Sequence, residues 1–251
     1  MGEETGAPGP PAQLLYRDLA RLYDLIYSFK DYAGEAARLR QLIARHKRSA
    51  GDELLEVACG SGKHLEQLAR DFTCTGVDLN EGMLAIARER LPGVRFQRAD
   101  MATMDLGRQF DVLTCLFSSI GYVKTEDRLR QTIENFARHL RPGGVAIVEP
   151  WFTREAYRAG TAHMTTYDGG DVKIARLNVS ELAGDVSIMD MHYLVAEAGR
   201  GVAHFVDRHE LGLFATERTL AIMREAGFEA EYLEEGLMAG RSLYVATKPA
   251  P

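Results

Sequence analysis

In the first part of the chain, apolar residues recur every three or four positions, the spacing of helices that bury one face. This pattern predicts two helices, over residues 14–32 and 32–46. Residues 1–13 precede them and are rich in glycine, proline and acidic residues. We therefore expect a disordered tail at 1–13.

From residue 53 onward, short apolar runs alternate with amphipathic segments. Strands are predicted at 53–57, 73–78, 94–98, 110–117 and 145–149. Helices are predicted between them, at 63–71, 80–90 and 125–140. Such alternation predicts an α/β fold with a doubly wound, Rossmann-like parallel sheet and helices on both of its faces. The run 110–117 is almost wholly apolar, as expected for a strand that is covered on both sides.

The pattern changes again after residue 150, where apolar and polar residues alternate as in antiparallel strands. Three such strands are predicted at 172–179, 186–195 and 202–213. Turns that contain glycine separate them. A helix at 216–226 and strands at 228–233 and 243–247 follow. We expect a core of residues 14–150 and 215–251, with a small antiparallel insert at 151–214 on the substrate side.

Composition excludes several classes of protein. The chain has 251 residues, 46% of them apolar, and a formal charge of −6, which argues against a nucleic-acid partner. Its three cysteines have no paired spacing, so neither a disulfide framework nor a zinc or other metal site is expected. With no apolar run of about 20 residues and no signal-peptide pattern, we expect no membrane association and a cytoplasmic protein.

The strongest candidate for a ligand site is the glycine loop at residues 54–62. A strand ends at Glu56, Gly60-Ser61-Gly62 follows, and a helix then begins. This order leaves backbone at the carboxyl edge of the sheet, where open parallel sheets bind ligands. The loop alone does not separate NAD, FAD and other ligands, or a tight turn that binds nothing.

Two acidic residues make the ligand more specific. Asp78 follows Gly62 by sixteen residues and ends the second strand, where a carboxylate can accept hydrogen bonds from both hydroxyls of a ribose. Asp100 and Met101 end the third strand, where an acid can meet an adenine amino group while the methionine packs on the ring. The alternative for Asp100 is a helix cap without a ligand.

These segments resemble the motifs of class I methyltransferases, which bind S-adenosyl-L-methionine. Residues 56–62 are similar to the first motif, 76–80 with Met83 to the second, and 99–101 and 110–113 to the next two. In that family the acid at Glu56 serves the methionine part of the cofactor. A nicotinamide-binding fingerprint would need a third glycine after Gly62, and none is present. The resemblance implies cofactor contacts from Tyr32, Glu56, Ala58, Cys59, Gly60, Gly62, Asp78, Leu79, Met83, Asp100, Met101 and Phe117.

A closer resemblance covers about residues 22–247. Segments 23–27, 30–33, 117–122 and 149–152, together with Gly240-Arg241, look like the TDP-3-amino-sugar N,N-dimethyltransferases. It implies a nucleotide-linked amino sugar as the small-molecule acceptor. It also implies a substrate side formed by Tyr23, Tyr27, Tyr122, Trp151, Phe152 and Arg241.

The substrate side also departs from that family. Residues 27–32 look shorter than their counterpart and lack an expected arginine, and Phe152 replaces what is often a second tryptophan. Tyr27 and Phe152 have the alternative role of core aromatics, and Arg241 that of a surface ion pair. Trp151 is the only tryptophan, and we expect it in a pocket wall.

Catalysis by such an enzyme depends on holding an acceptor lone pair in line with the methyl group, mainly by proximity and orientation. We expect Tyr122 to touch the acceptor, with Tyr27 as a further catalytic candidate and His209 and His192 as candidate bases. A phenol is a poor base at neutral pH, which favours an amine over a hydroxyl acceptor.

Several alternatives stay open at this point. The acceptor could be another small amine or hydroxyl compound of natural-product biosynthesis. The chain could also be a nicotinamide oxidoreductase or a non-catalytic module that binds the cofactor. The insert could form a homodimer contact or a lid.

Overall fold

The computed structural model describes residues 20–250, so the tail predicted at 1–13 and the start of the first predicted helix lie outside the described residues. The helices are α1 (Ala20–Ile26), α2 (Tyr32–His46), α3 (Lys63–Leu68), α4 (Glu81–Arg90), α5 (Glu126–His139) and α6 (Thr216–Glu225). The strands of the larger sheet are β1 (Glu53–Val57), β2 (Thr73–Asp78), β3 (Arg95–Arg98), β4 (Phe110–Cys115), β5 (Leu140–Val148), β10 (Glu229–Leu233) and β11 (Leu243–Thr247).

The larger sheet has seven strands in the order β10-β11-β5-β4-β1-β2-β3. The five strands from β5 to β3 are parallel, whereas β11 runs antiparallel to both β5 and β10. The predicted α/β fold is therefore confirmed, with a mixed rather than wholly parallel sheet. The strand order reverses between β1 and β4, and the crevice outside their carboxyl ends is the place where open α/β sheets bind ligands.

The packing of helices on both faces of the sheet explains why the central strands are unbroken apolar runs in the sequence. Every residue of β4 is buried, and helices cover the sheet on both faces. On one side Phe136 of α5 belongs to the core cluster, and on the other Leu39 of α2 does. Burial of the sheet on both sides removes the polar–apolar alternation that a half-exposed strand would show.

A second, four-stranded antiparallel sheet confirms the predicted antiparallel insert and lies within residues 151–214. Its order is β6 (Ala162–Asp168), β7 (Val172–Ala183), β8 (Val186–Glu197) and β9 (Gly201–Gly212). The inner face packs against α1 through a cluster that contains Leu22, Ile26, Ile174, Tyr193 and Val195.

Three local features differ from the sequence pattern. The strand β6 was not predicted, because it is largely exposed and its residues do not alternate in polarity. The strand β5 begins at Leu140, before the start of the strand predicted at 145–149, and its pairing with β4 shifts register. A 3-10 helix at Ser119–Val123 follows β4, which ends at Cys115 rather than at Phe117. No helix within residues 20–250 is long and apolar enough to cross a membrane.

Candidate active site

The glycine loop between β1 and α3 has a backbone conformation that few residues other than glycine adopt. Gly60 has a φ of 54° and Gly62 a φ of 79°, both in the left-handed region, and Ala58 shares it with a φ of 55°. Asp78 holds the loop in place: its Oδ2 accepts a hydrogen bond from the N–H of Gly60 at 2.9 Å, and its Oδ1 accepts one from the N–H of Asn80 at 2.8 Å. Asp78 therefore orders the loop from the end of β2.

A cleft of about 830 Å³ opens at this edge of the sheet. That volume is in the range of small-molecule sites, which is roughly 300–1,000 Å³. All the predicted cofactor residues except Gly62 line the cleft: Tyr32, Glu56, Ala58, Cys59, Gly60, Asp78, Leu79, Met83, Asp100, Met101 and Phe117. Gly62 lies behind the loop at the N-cap of α3. Tyr23 and Tyr122, from the predicted substrate set, also line the cleft.

Asp100 caps a turn and also lines the cleft, while its contact with adenine stays a prediction. Its Oδ1 accepts a hydrogen bond from the N–H of Ala102 at 2.9 Å, so it does cap the following turn. It also lines the cleft, and Arg128 donates to both of its oxygens at 3.1 and 2.9 Å. The carboxylate is therefore held at the edge of the cleft by two partners.

Below the glycine loop, four buried charged residues form a chain that the sequence did not reveal. Glu56 Oε1 lies 3.5 Å from His64 Nδ1, and His64 Nε2 lies 2.7 Å from Glu35 Oε2. Glu35 Oε1 in turn lies 2.8 Å from Lys30 Nζ. The charges alternate in sign along this chain, so each buried carboxylate contacts a buried cation. Glu56 Oε2 has no hydrogen-bond partner among the described residues, which leaves one oxygen for a ligand.

The contacts among Glu56, His64, Glu35 and Lys30 predict how the stability of the protein depends on pH. Burial alone would lower the pKa of His64, but its contacts with Glu35 and Glu56 raise that pKa from 6.5 to about 9. Because the pKa is higher in the folded protein, the protonated imidazole contributes its full stability below about pH 6.5 and loses it as the pH rises through about 9. At about 1.36 kcal/mol per pH unit, this contribution is at most roughly 3 kcal/mol.

Urea unfolding of the wild type and of His64→Gln at about pH 6 and about pH 9.5 measures this contribution. The wild type should lose more stability than the variant between the two pH values. An equal loss in both proteins would show that His64 does not titrate as described.

The turn after β4 is strained and is held by a second buried acid. Phe117 and Ser118 have φ values of 51° and 63°, and backbone in this region costs non-glycine residues of order 1–3 kcal/mol. Glu149 Oε2 accepts a hydrogen bond from the N–H of Phe117 at 2.9 Å, and Ser118 Oγ donates one to the carbonyl of Pro150 at 3.0 Å. Together these contacts keep Phe117 and the following 3-10 helix at the cleft.

Two of the predicted catalytic residues meet through that 3-10 helix. Tyr122 Oη lies 2.7 Å from His209 Nδ1, and His209 is buried on β9. His209 Nε2 lies 3.0 Å from Asp207 Oδ2, and Asp207 is completely buried. Tyr122 and His209 were predicted from the sequence, but Asp207 was not. Asp207 and His209 are separated by one residue on β9, which places their side chains on the same face of the strand.

The other predicted substrate residues do not line the cleft. The guanidinium of Arg241 lies over the rings of Trp151 and Phe152, 4.8 and 4.6 Å from their centroids. Trp151 Nε1 donates a hydrogen bond to Ser187 Oγ at 2.8 Å. Arg241 forms no ion pair with any residue in the described range, and its Nη1 has no hydrogen-bond partner there.

Tyr27 and His192 also lie away from the lining of the cleft. The ring of Tyr27 packs edge-on against Phe117 at 5.0 Å, and its hydroxyl accepts a hydrogen bond from Arg176. His192 stacks on His204 on the outer face of the small sheet, so it is not placed to act as a base in the cleft.

Comparison with known proteins agrees with this arrangement. Residues 54–144 match the family model described as a methyltransferase domain. The chain is 42% identical over 233 residues to the dTDP-3-amino-3,4,6-trideoxy-alpha-D-glucopyranose N,N-dimethyltransferase of Streptomyces venezuelae, covering 91% of this chain and 97% of that protein.

Solved structures give the same result. The crystal structure of Streptomyces venezuelae DesVI is 40% identical with a TM-score of 0.87, over 93% of this chain and 99% of that one. SAM-bound CalS10, an amino pentose methyltransferase from Micromonospora echinaspora, is 34% identical with a TM-score of 0.82, over 96% of this chain and 99% of that one. A nicotinamide oxidoreductase is therefore not supported. The chain belongs to the S-adenosylmethionine-dependent methyltransferases, in the family of the dTDP-amino-sugar N,N-dimethyltransferases.

Proposed function

We propose that this enzyme transfers a methyl group from S-adenosylmethionine to the amino group of a nucleotide-linked amino sugar. The observation that carries the proposal is that Tyr122 lines the same cleft as Glu56, Asp78 and Asp100. An acceptor beside Tyr122 would therefore lie next to the cofactor. The relatives described above are named for their action on dTDP-amino sugars or amino pentoses, which supports an amino sugar as the acceptor.

The described residues fit the cofactor. Asp78 would accept from the ribose hydroxyls, Asp100 from the adenine amino group, and Met101 would pack on the adenine ring. The unpartnered oxygen of Glu56 would serve the methionine part, where a buried carboxylate with no partner needs a donor. When bound, S-adenosylmethionine supplies a methyl group that is activated by its positively charged sulfur.

The residues of this chain then have to position the acceptor. Tyr122 would hold the amine by a hydrogen bond, so that its lone pair faces the methyl group. Arg241 would serve the diphosphate of the acceptor, since a guanidinium donates two parallel hydrogen bonds to such a group and its Nη1 has no partner among the described residues. This role requires the nucleotide to extend beyond the cleft toward Trp151.

A transfer assay with methyl-labelled S-adenosylmethionine tests the proposal. The acceptor is dTDP-3-amino-3,4,6-trideoxyglucose, and the matched control is the same nucleotide sugar with a hydroxyl in place of the amine. We expect label in the amino sugar only. Labelling of the hydroxyl compound alone, or of neither compound, would overturn the proposed function.

We also propose that the enzyme is a homodimer formed through the small sheet. Its outer face exposes large apolar side chains on all four strands, namely Met164, Leu177, Val179, Leu194 and Val202. Exposed apolar patches of this kind mark interaction surfaces. A second copy fits this face, because an apolar patch can pair with itself across a two-fold axis.

Replacement of Leu194 with glutamate is expected to convert the dimer to monomer, because it would bury a charge at the centre of the interface. Light scattering should give twice the chain mass of 27.9 kDa for the wild type and the single-chain mass for the variant. Phe29→Glu is the control, since Phe29 is also an exposed apolar residue but lies outside this sheet. A monomeric wild type, or a variant that stays dimeric, would contradict the proposed interface.

A further inference from the structure

We propose that Asp207, His209 and Tyr122 form a proton relay that takes a proton from the ammonium form of the acceptor before methyl transfer. The relay deepens the proposed function and rests on it, because only an amine acceptor presents such a proton. Asp207 acts here as a positioning residue, since it reaches the acceptor only through the other two.

The acceptor chemistry creates the need for a relay. An alkyl amine resembles the lysine side chain, whose reference pKa is about 10.4, so it is mostly a cation at neutral pH. A cationic nitrogen has no lone pair with which to attack a methyl group. A group in the cleft that accepts the proton would therefore raise the reactive fraction of the bound acceptor.

Burial and distance connect the three residues into one chain. Asp207 is 0% exposed and His209 is 3% exposed, while Tyr122 reaches the cleft. The contacts along the chain are 3.0 Å from Asp207 Oδ2 to His209 Nε2 and 2.7 Å from His209 Nδ1 to Tyr122 Oη. Neither carboxylate oxygen of Asp207 has a hydrogen-bond partner among residues 20–250, so its contact with His209 is an ion-pair contact rather than a hydrogen bond. The carboxylate of Asp207 therefore lies beside the imidazole, at the end of the chain of contacts that is away from the cleft.

The position of Asp207 also decides which ring nitrogen of His209 carries the proton. A carboxylate beside Nε2 favours the neutral tautomer with its hydrogen on Nε2, which leaves the lone pair of Nδ1 free to accept. Tyr122 then donates its O–H to Nδ1. A phenol oxygen that donates its hydrogen still carries lone pairs, and an N–H group of the acceptor would donate to this oxygen.

The proton transfer balances without any further reagent. One N–H bond of the ammonium breaks, its electron pair stays on the nitrogen, and the proton binds to Tyr122 Oη. The original hydroxyl proton of Tyr122 moves to His209 Nδ1 in the same step. The result is a neutral amine, a neutral tyrosine and an imidazolium beside the carboxylate of Asp207. The imidazolium returns its proton by the reverse route to water when the product leaves.

Two phenols among residues 20–250 lie near this relay. The residues opposite His209 and Asp207 on β8 are Met189 and Met191, which do not titrate. Tyr193 on β8 lies near Asp207, and burial raises the pKa of this phenol, with a smaller contribution from Asp207. On the side of α1, Tyr23 lies near Tyr122, and burial likewise raises its pKa. Both phenols therefore stay neutral in the pH range in which the relay works.

Activity as a function of pH separates the relay from a structural role. For Asp207→Asn, we expect kcat/KM to fall by about 100-fold near neutral pH, which is at the low end of general acid–base contributions. The loss should shrink toward zero above the pKa of the acceptor, because the amine is then neutral without help. Tyr122→Phe should show the same pH-dependent loss, added to a pH-independent loss from the missing hydrogen bond that holds the amine. Asp190→Asn is the matched control, since Asp190 lies on the outer face of β8 in an exposed ion pair with Arg208, and it should behave as the wild type.

An equal fractional loss at every pH, or no loss, would overturn the relay. A measurement without acceptor keeps this test separate from the proposed function: ¹⁵N NMR of histidine-labelled protein, with His209→Gln to assign the signals. We expect His209 to carry its proton on Nε2 in the wild type. A proton on Nδ1 would overturn the relay whatever the acceptor is. Failure to methylate any amino sugar, with the Nε2 tautomer present, would contradict only the proposed function.

Discussion

Asp78→Ala is expected to weaken the binding of S-adenosylhomocysteine by about 10²- to 10⁴-fold. The carboxylate would accept hydrogen bonds from both ribose hydroxyls, and hydrogen bonds to charged groups contribute about 1.5–3 kcal/mol each. Asp78 also holds the glycine loop through the N–H of Gly60, so the variant loses the order of the loop as well. Isothermal titration calorimetry measures the dissociation constant directly.

Asp105→Ala is the matched control for this variant. Asp105 likewise accepts a hydrogen bond from the backbone N–H two residues on, that of Gly107, but it is exposed and lies outside the cleft. The affinity of the Asp105→Ala variant for S-adenosylhomocysteine should equal that of the wild type. An Asp78→Ala protein that is folded and binds within about tenfold of the wild type, a difference of about 1.4 kcal/mol, would contradict the role of Asp78.

Glu35→Gln is expected to lower the free energy of unfolding by about 3–5 kcal/mol, the usual cost of breaking a buried ion pair by removing one partner. Glu35 neutralises both Lys30, whose side chain is 0% exposed, and the protonated His64. Burial raises the pKa of Glu35, but hydrogen bonds from His64 and Lys30 outweigh it, so that the pKa is lowered and the carboxylate is charged. Without that charge, two cations lie buried close to each other.

Urea unfolding at neutral pH measures the effect. Glu89→Gln is the control, because Glu89 is exposed on α4 and the same chemical change there should cost less than about 0.5 kcal/mol. A Glu35→Gln protein as stable as this control would show that the buried chain contributes nothing to stability.

The fold could be predicted from sequence where one physical signal dominates. The strand at Phe110–Cys115 is buried on both faces, so its apolar run is unbroken, and glycines mark the loop that follows β1. The strand β6 was not predicted because its side chains are mostly exposed, so its sequence shows neither an apolar run nor a regular alternation of polar and apolar residues. It owes its conformation to its pairing with β7, a contact between segments that local sequence does not record.

The same distinction applies to the site. Glu56, Asp78 and Asp100 could be found because each stands at or just after the end of a parallel strand, a position that sequence spacing reveals. Glu35 and His64 lie 29 residues apart on different helices, and their contact depends on how α2 packs against α3. In the sequence, Asp207 is one of several polar residues in a strand of alternating polarity. Its burial beside His209 distinguishes it from the others, and this burial is seen only in the structure.

The substrate side shows the limit of inference from residue types. Trp151 was expected in a pocket wall and Arg241 on the substrate side, and the two side chains contact each other beside the cleft. Burial lowers the pKa of Arg241, and the nearby Glu149 opposes this change. The stacking of a guanidinium on two aromatic rings depends on the packing of the C-terminal strands, which is not visible in the sequence alone.

The most direct test of the account is a crystal structure of the enzyme with S-adenosylhomocysteine and the amino-sugar nucleotide. We expect the adenosine and methionine parts in the cleft, on Asp78, Asp100 and Glu56. We expect the sugar nitrogen within about 2.6–3.2 Å of Tyr122 Oη, facing the sulfur. A sugar nitrogen directed away from Tyr122, or a cofactor bound outside the cleft, would contradict the account.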